Sequence, residues 1–511
     1  MGSVIEMKKS VPVVGDVDVL VVGAGIAGST AAVAAGRSGA RTMVVDRFGC
    51  PGGNMGPGMM GGAPNMEIPP ALFEGGRLPG IPGEFIERCE QHCKAPLLGH
   101  YIRDSQVISY VWTQMMQEAG VQFMYNTYSG GPIMEGNRVT GLFVENKNGT
   151  QAIRAKVVVD ATGDADVAAR AGAPIDEGKS LFSSGTYWAM ANVDIDRYLR
   201  EMYPTWTPPG PECFADPGKL PDDWNTFPFT PNPEDVRWAE RIDESIEQPH
   251  RSLADMAKSQ SIGPFFSHYR RAWDSGEYRF MQAIDGLGFV HADHGIFRGV
   301  AGIQYVPDPL RMGKYGIIGA MVGVQRHENP TSGDTKVMTA IEVKVRNFIF
   351  ETAQFLTRRI PGFEKAYLHI IAPYFNSRGG RSAICDYQVT TEDVEQETEF
   401  DDVVFRGGNR MLGLHPTRYK AYFDFPYRQF LPRDVDGLLV TGRACIVQPP
   451  VMRIRWMVLL MGQAAGVASA LAARADVTPR KLDVRRLQGV LHDEYRVPLG
   501  DRERLQGLGI I

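Results

Sequence analysis

A stretch near the N-terminus carries glycines at G-x-G-x-x-G spacing, at Gly23, Gly25 and Gly28. An apolar run precedes these glycines, an alanine-rich segment follows them, and a second apolar run ends in Asp46. The first apolar run is short enough for a buried parallel strand, and the alanine-rich segment favours a helix. The order of strand, tight turn, helix and strand therefore predicts a βαβ unit at residues 19–46.

Each glycine of this unit has a predicted role. Gly23 permits the tight turn, Gly25 lets a pyrophosphate approach the backbone, and Gly28 lets the helix pack closely on the strand. The phosphates would lie at the helix N-terminus, where free N–H groups and the helix dipole favour negative charge. Asp46 stands at the end of the second strand and is placed to accept hydrogen bonds from a ribose. The unit predicts a dinucleotide site, and an ordinary glycine-rich βαβ turn is the alternative.

Glycines are also dense just after Asp46, at positions 49, 52, 53, 56, 58, 61 and 62. Such a loop brings the backbone close to a flat or charged group. A flexible surface loop is the alternative, but the interleaved Met55, Met59 and Met60 argue against full exposure. Cys50 lies in this loop and could be a covalent attachment point or a redox thiol. Packing is the favoured interpretation of Cys50, because no neighbour in the sequence clearly lowers its pKa.

Two later segments also combine a buried apolar run with a glycine at its end. A buried run at 157–159 leads into A-T-G-D at 161–164, which places a small residue and a glycine at a strand end. Near the C-terminus, an apolar run ends in Gly442, and an apolar helix with small residues is predicted at 456–473. That helix could pass for a weak membrane span, but two glycines and Gln463 interrupt it, so we favour a helix packed on a sheet.

Together these motifs resemble those of the FAD-dependent oxidoreductase family of the glutathione reductase superfamily. The likeness rests on GAGIAG at 23–28, VVDATGDADVAARAGAP at 158–174, FLTRRIPGFEKAYL at 355–368, LLVTGRACI at 438–446 and GQAAG at 462–466. It implies one FAD, bound without a covalent bond. The residues expected to hold FAD are Gly23, Gly25, Ile26, Ala27, Gly28, Asp46, Arg47, Gly53, Asn54, Ala161, Thr162, Gly163, Asp164, Gly442, Arg443 and Gln463.

The resemblance also implies an α/β fold class, with a Rossmann-like FAD-binding domain built on a parallel sheet and an inserted α+β cap domain for the substrate. A chain of 511 residues is long for one core, which agrees with two domains. Residues 1–180 are expected to form the first part of the FAD-binding domain, and residues 181–430, rich in proline and aromatic residues, the cap. Residues 431–511 would complete the FAD-binding domain and form a C-terminal tail.

The implied activity is that of an FAD-dependent oxidoreductase, a dehydrogenase or oxidase that transfers a hydride between a small organic substrate and the flavin. A flavoenzyme that uses FAD without net redox, such as a hydratase or isomerase, is an alternative. A flavin-binding protein without catalytic activity is a third class. The large aromatic cap argues against the third class, because it implies a closed pocket for a second ligand.

The chain departs from the family pattern in two places where substrate would meet flavin. It carries N-S-R-G-G-R at 376–381, where family members tend to have Glu-Ser-Arg-Arg, and I-V-Q-P-P at 446–450, where they tend to have a histidine. We expect His294 to be the acid–base residue, because a histidine pKa near 6.5 suits proton transfer. Arg378 and Arg453 are expected to anchor charge on substrate or flavin. A structural histidine and solvated surface arginines are the alternatives.

Charge and cysteine content limit the possible partners. The net charge of −5 gives no footprint for nucleic acid or an anionic membrane. The six cysteines are scattered, so a disulfide framework is not expected, and they do not complete a zinc site. The N-terminus lacks the pattern of a signal peptide. We therefore expect a cytoplasmic protein that binds a small organic molecule, needs no metal, and could form a homo-oligomer.

Overall fold

The computed structural model describes the chain in fifteen stretches, and all structural statements refer to them. These stretches are residues 8–59, 72–73, 77–93, 105–177, 184–204, 229–245, 252–258, 263–284, 288–292, 315–325, 333–377, 379–408, 422–447, 452 and 454–511. Within them the protein is an α/β fold with a parallel-rich sheet and a second, antiparallel sheet.

The strands within the described residues are β1 Val13–Val22, β2 Thr42–Val45, β3 Gln122–Met124, β4 Tyr128–Glu135, β5 Arg138–Asn146, β6 Gly149–Asp160, β7 Ile175–Asp176, β8 Ser184–Asp194, β9 Met281–Ile284, β10 Gly288–Ala292, β11 Tyr315–Gln325, β12 Tyr367–Ile371, β13 Ser382–Ala383, β14 Val403–Gly407, β15 Phe423–Pro426 and β16 Leu438–Val440.

The α-helices of the same stretches are α1 Ile26–Arg37, α2 Gly80–Cys93, α3 Ser105–Glu118, α4 Asp166–Arg170, α5 Ile195–Met202, α6 Pro233–Asp243, α7 Leu253–Lys258, α8 Gly263–Asp274, α9 Thr335–Arg359, α10 Thr391–Glu395, α11 Arg455–Ala475, α12 Val484–Asp493 and α13 Arg502–Gly507. Short 3₁₀ turns lie at Tyr427–Phe430, Gly442–Cys445 and Pro479–Lys481.

The larger sheet has the order β3-β2-β1-β6-β5-β4, and β16 pairs with the last residues of β6. Strands β3, β2, β1, β6 and β16 are parallel to one another, while β4 and β5 are antiparallel additions. The apolar runs of β1, β2 and β16 are buried on both faces, as is usual for strands covered by helices on both sides. The carboxyl ends of the five parallel strands therefore meet along one edge, which we call the carboxyl edge.

Helices α1 and α11 cross at very short range over this sheet. A Cβ atom added at Gly462 would lie 2.3 Å from the carbonyl oxygen of Ala27, and one added at Gly466 would lie 2.3 Å from that of Ala31. The small residues predicted for α11 therefore allow the two backbones to touch. By length and composition α11 could cross a membrane, but its apolar stretch is buried against the rest of the fold.

The second sheet is antiparallel, with the order β12-β8-β11-β10-β9. Helices α5 to α9 pack around it in a separate hydrophobic core that contains residues from Trp188 to Phe375. Apolar residues at helical spacing, from Ile341 to Phe355, predict a long helix over residues 332–359. The structure confirms it as α9, which begins where the Asp334 side chain accepts hydrogen bonds from the N–H groups of Lys336 and Val337. We refer to this sheet and its helices as the cap.

Other local predictions agree with the observed elements. The dipeptide Asn148-Gly149 between two alternating segments predicts a hairpin, and it joins β5 to β6, with Gly149 at a φ of +87°. Cys89 and Cys93 stand four residues apart with no second pair to complete a zinc site, which predicts packing residues, and Cys89 is fully buried in the larger core. Alternating apolar stretches predict strands in the regions 280–304 and 316–326, and β9, β10 and β11 lie there, although residues 293–314 lie outside the described stretches.

Candidate functional site

The segment 23–28, which we call the glycine turn, joins β1 to α1 and needs glycine at both ends. Gly23 has a φ of +98°, and a Cβ atom there would lie 2.6 Å from the carbonyl oxygen of Ala161. A Cβ atom at Gly28 would lie 1.7 Å from the carbonyl oxygen of Gly23, so only glycine fits. At Gly25, by contrast, no described heavy atom lies within 4 Å of the added Cβ atom. The turn is therefore packed on its inner side and open at Gly25.

The N-terminus of α1 faces this opening. Gly25 is the N-cap residue, no side chain in the described chain caps the helix, and the first turn holds no acidic residue. The N–H groups of Ile26, Ala27 and Gly28 precede the first backbone bond of the helix, from Ser29 N to the carbonyl oxygen of Gly25 at 2.7 Å. N–H groups that have no partner within the helix, together with the positive end of the helix dipole, suit a phosphate. The turn thus fits the pyrophosphate of a dinucleotide.

Asp46 lies beside the glycine turn, at the carboxyl end of β2. Its Oδ2 accepts a hydrogen bond from the N–H of Ala24 at 2.5 Å, and its Oδ1 accepts one from the N–H of Phe48 at 2.7 Å. Burial raises the pKa of the Asp46 carboxyl above its ordinary value, although both hydrogen bonds favour the charged form. Each oxygen keeps a further lone pair, so Asp46 could still accept from a ribose.

Residues 46–59, which we call the glycine loop, fold back over the glycine turn. The N–H of Gly52 donates to the carbonyl oxygen of Ala24 at 2.7 Å, and a Cβ atom at Gly53 would lie 2.8 Å from Cα of Gly25. Cys50 is half-buried, and burial raises the pKa of its thiol, which agrees with packing rather than reactivity. The loop is therefore held directly against the open glycine.

Arg47 and Asn54 of the glycine loop contact Tyr374, which follows β12 of the cap. The Arg47 guanidinium lies 4.7 Å from the ring centroid of Phe48 and 5.3 Å from that of Tyr374. The Asn54 Oδ1 accepts a hydrogen bond from the Tyr374 hydroxyl at 2.9 Å. Sequence reasoning assigned both residues to the cofactor and missed these contacts, because Tyr374 is more than 300 residues away in the chain.

The A-T-G-D segment after β6 is organised by a residue that the sequence analysis did not single out. Asp160 is fully buried; its Oδ2 accepts from the N–H groups of Val167 and Ala168, and its Oδ1 accepts from the N–H and hydroxyl of Thr162. Burial raises the pKa of the Asp160 carboxyl. Asp160 thus holds the first turn of α4 and occupies the Thr162 hydroxyl, while Ala161 packs against the glycine turn.

Gly163 and Gly442 bring two chain segments together at the carboxyl edge. Both have positive φ, +85° and +70°. The Arg443 guanidinium forms an ion pair with Asp164, with Nη1 2.8 Å from Oδ1, and its Nη2 would lie 3.2 Å from a Cβ atom at Gly163. Both side chains of this pair are 20% exposed. The predicted neighbours of the flavin half therefore lie together, with their charges already paired.

Gln463 is buried inside α11 and faces the start of α2. Its Oε1 accepts a hydrogen bond from the N–H of Ile81 at 2.8 Å, and Gly80, at a φ of +64°, leaves room for it. Its amide nitrogen has no hydrogen-bond partner among the described residues. The structure thus gives Gln463 a contact between two helices, which the sequence did not reveal.

The whole arrangement agrees with a sequence-family match. The profile of the family described as "FAD dependent oxidoreductase" matches residues 18–491. The chain belongs to this family. It is accordingly an enzyme whose cofactor is FAD.

Solved structures with a similar fold share little sequence with this oxidoreductase. A geranylgeranyl bacteriochlorophyll reductase-like protein from Thermoplasma acidophilum is 14% identical, with 97% of this chain and 86% of that chain covered and a TM-score of 0.40. A myxobacterial chondrochloren halogenase is 12% identical, with 97% and 81% covered and a TM-score of 0.37. The p-nitrophenol 4-monooxygenase from Pseudomonas putida DLL-E4 is 11% identical, with 97% and 84% covered and a TM-score of 0.34. No curated protein matches the chain.

The predicted catalytic residues of the oxidoreductase, His294, Arg378 and Arg453, lie outside the described residues. Arg381, three residues after Arg378 in the sequence, forms an ion pair with Asp166, with Nη2 2.5 Å from Oδ1, and so connects this segment to the start of α4. These three predictions therefore stay predictions.

Proposed function

We propose that this oxidoreductase transfers a hydride between a small organic molecule and FAD bound along the carboxyl edge. The observation that carries the proposal is the N-terminus of α1, which no described side chain caps and which opens at Gly25 where five parallel strands end. FAD supplies the two-electron chemistry when bound. The protein binds and orients FAD, and the cap covers the substrate.

The order of the strands suggests how FAD lies. The glycine turn follows β1 and would take the pyrophosphate, and Asp46 follows β2 and would take the adenosine ribose. The flavin half would then extend the other way, over β6 and β16, toward Gly163 and Gly442. The sixteen residues expected to hold FAD are proposed to line this path. The Arg443–Asp164 pair would present a fixed, nearly neutral surface to the ribityl chain.

The wider assignments are proposals of the same kind. We propose a place in the glutathione reductase superfamily, a cytoplasmic location and a homo-oligomer as a possible assembly. The division into residues 1–180, 181–430 and 431–511 is also a proposal. Buried apolar residues from Ala383 to Phe405 and from Phe423 to Leu431 pack in the larger core, which supports a cap that ends earlier, near residue 380. His294 as acid–base residue and Arg378 and Arg453 as anchors complete the proposed site.

The test is reduction of the bound flavin by substrate. Purified protein should be yellow, and acid denaturation should release FAD. Mixed without oxygen with a panel of organic metabolites, the protein should lose its flavin absorbance with at least one of them. His294→Ala should keep FAD but slow this reduction by roughly 10²–10⁴-fold. Protein that stays colourless after incubation with FAD would refute the proposal, and turnover without bleaching would favour a hydratase or isomerase.

A further inference from the structure

A short segment that follows β12 connects the cap to the glycine loop. We call residues 372–376 the strap. On the cap side, its backbone is fixed to β8: the N–H of Ala372 donates to the carbonyl oxygen of Tyr187 at 2.8 Å, and Asn376 exchanges two backbone hydrogen bonds with Gly185, at 2.9 and 3.1 Å. The strap is thus part of the cap.

Helix α9 holds the middle of the strap. The N–H of Phe375 donates to Oε1 of Glu342 at 2.5 Å, and Nη2 of Arg346 donates to the carbonyl oxygen of Pro373 at 3.0 Å. Because Glu342 and Arg346 also pair with each other along α9, the strap is bound to a rigid element. Its side chains are therefore presented in fixed positions.

Two of these side chains reach the glycine loop. The Tyr374 ring stacks on Phe48 at a centroid distance of 4.5 Å, and its hydroxyl donates to Asn54. Asn376 is 1% exposed, and its Nδ2 donates to the carbonyl oxygen of Gly58 at 2.8 Å. The strap therefore grips both ends of the loop that lies against the glycine turn.

We propose that Tyr374 and Asn376 are positioning residues for FAD: by fastening the glycine loop to the cap, they hold the loop over the phosphate site and slow release of the cofactor. The proposal rests on the assignment of the glycine turn to the FAD pyrophosphate. Neither side chain needs to touch FAD, since each acts through the loop. Release of FAD and loss of the contacts between the cap and the glycine loop are then coupled.

The rate of FAD release tests this coupling. Tyr374→Phe keeps the ring stack and removes the hydroxyl that donates to Asn54, so release should speed up about 3- to 10-fold. Tyr374→Leu also removes the stack and should release FAD about 10- to 50-fold faster. The holoenzyme is diluted into buffer, and recovery of flavin fluorescence gives the rate. FAD affinity of the apoprotein is measured alongside.

A double-mutant cycle separates the loop contact from other effects. In an Asn54→Ala background, Tyr374→Phe should cause no further increase in the release rate, because the bond is already absent. Additive effects of the two substitutions would contradict the proposal. Tyr278→Phe is the matched control, since it removes a buried tyrosine hydroxyl that bonds Thr352 at 2.6 Å inside the cap core.

The control also distinguishes the strap from a general loss of cap stability. Tyr278→Phe should lower the melting temperature but leave the FAD release rate unchanged. Equal acceleration by Tyr278→Phe and Tyr374→Phe, or a Tyr374→Phe enzyme with wild-type release, would overturn the proposal. Failure of the wild-type protein to bind FAD at all would instead refute the proposed function.

Discussion

The helix contact at the centre of the larger hydrophobic core and the core of the cap are packed by different kinds of residue. In the larger core, α1 and α11 meet through glycine and alanine, and the glycine turn lies against Ala161. In the cap core, aromatic rings fill the space: Tyr269 stacks on Phe280 at 4.8 Å, and Tyr278 stacks on Phe355 at 4.6 Å. The contact between α1 and α11 thus depends on close backbones, although aromatic rings such as Phe85 and Trp112 also stack in the larger core, at 4.1 Å. The cap core depends on large side chains throughout.

The difference follows from what each core must hold. A dinucleotide that is bound by backbone N–H groups requires bare backbone at the carboxyl edge, and helices can reach the sheet closely only where side chains are small. The cap has no such requirement, so buried aromatic area can supply its stability. We therefore expect added atoms to damage the first core and removed atoms to damage the second.

The largest expected effect is a deletion in the cap core. Phe355→Ala removes a ring that is 2% exposed and stacks on Tyr269 and Tyr278, so it should destabilise the cap by about 3–5 kcal/mol. Urea unfolding followed by tryptophan fluorescence measures this. Phe350→Ala, on the exposed side of the same helix, should change stability by less than about 0.5 kcal/mol. Equal losses from both substitutions would contradict the comparison.

A single added methyl group should separate packing from binding at the carboxyl edge. Gly462→Ala places Cβ 2.3 Å from the carbonyl oxygen of Ala27 and should destabilise the larger core by about 1–3 kcal/mol. Gly25→Ala has a permissive φ of −65° and an open Cβ position, so unfolding of the apoprotein should change by less than about 0.5 kcal/mol. FAD affinity should nevertheless fall at least about tenfold, because the methyl group occupies the phosphate approach.

The two variants check each other. Titration of apoprotein with FAD and urea unfolding without FAD give the affinity and the stability separately. If Gly25→Ala bound FAD as tightly as wild type, the opening at Gly25 would not be the phosphate site. If Gly462→Ala unfolded like wild type, the short approach of the two helices would not limit the core.

Sequence alone predicts the parts of the fold that depend on neighbours in the chain. The βαβ unit with Gly23 and Gly28, the hairpin at Asn148-Gly149 and the helix α9 all depend on local turn chemistry and periodicity. The family resemblance added FAD and the cap. The βαβ unit, the hairpin and α9 were predictable from sequence because each is specified within a few tens of residues.

Contacts between distant segments could not be predicted in this way. The bond between Gln463 and Ile81 and the grip of Tyr374 on Asn54 join residues more than 300 positions apart. Asp160 was not singled out, because only its burial and the four hydrogen bonds that it accepts, and not its neighbours in the sequence, reveal its role. Tertiary packing, and not local pattern, decides these roles.

The smallest expected effect concerns the pH dependence of FAD binding at the backbone-lined edge. Burial raises the pKa of Asp46 above its ordinary value of 3.8, so ionising this carboxyl costs the apoprotein stability. Its contribution to apoprotein stability is fully present below pH 3.8 and is lost as pH rises through the raised pKa. In the complex, ribose hydroxyls that donate hydrogen bonds to Asp46 favour its ionised form. FAD should therefore bind more tightly as pH rises through this range, by at most about tenfold per pH unit.

Asp46→Asn isolates this carboxyl, because an amide does not titrate and offers one acceptor oxygen instead of two. The variant should bind FAD more weakly at neutral pH and show a flatter pH dependence than wild type from just above pH 3.8 upward. Fluorescence titrations of both apoproteins across this range, with folding checked at each pH, give the two slopes. Identical slopes would assign the pH dependence to another group and leave Asp46 as an anchor between Ala24 and Phe48 alone. If FAD affinity depended on pH in wild type but not in the variant, a ribose hydroxyl would bind the Asp46 carboxylate, next to the glycine loop that the strap contacts.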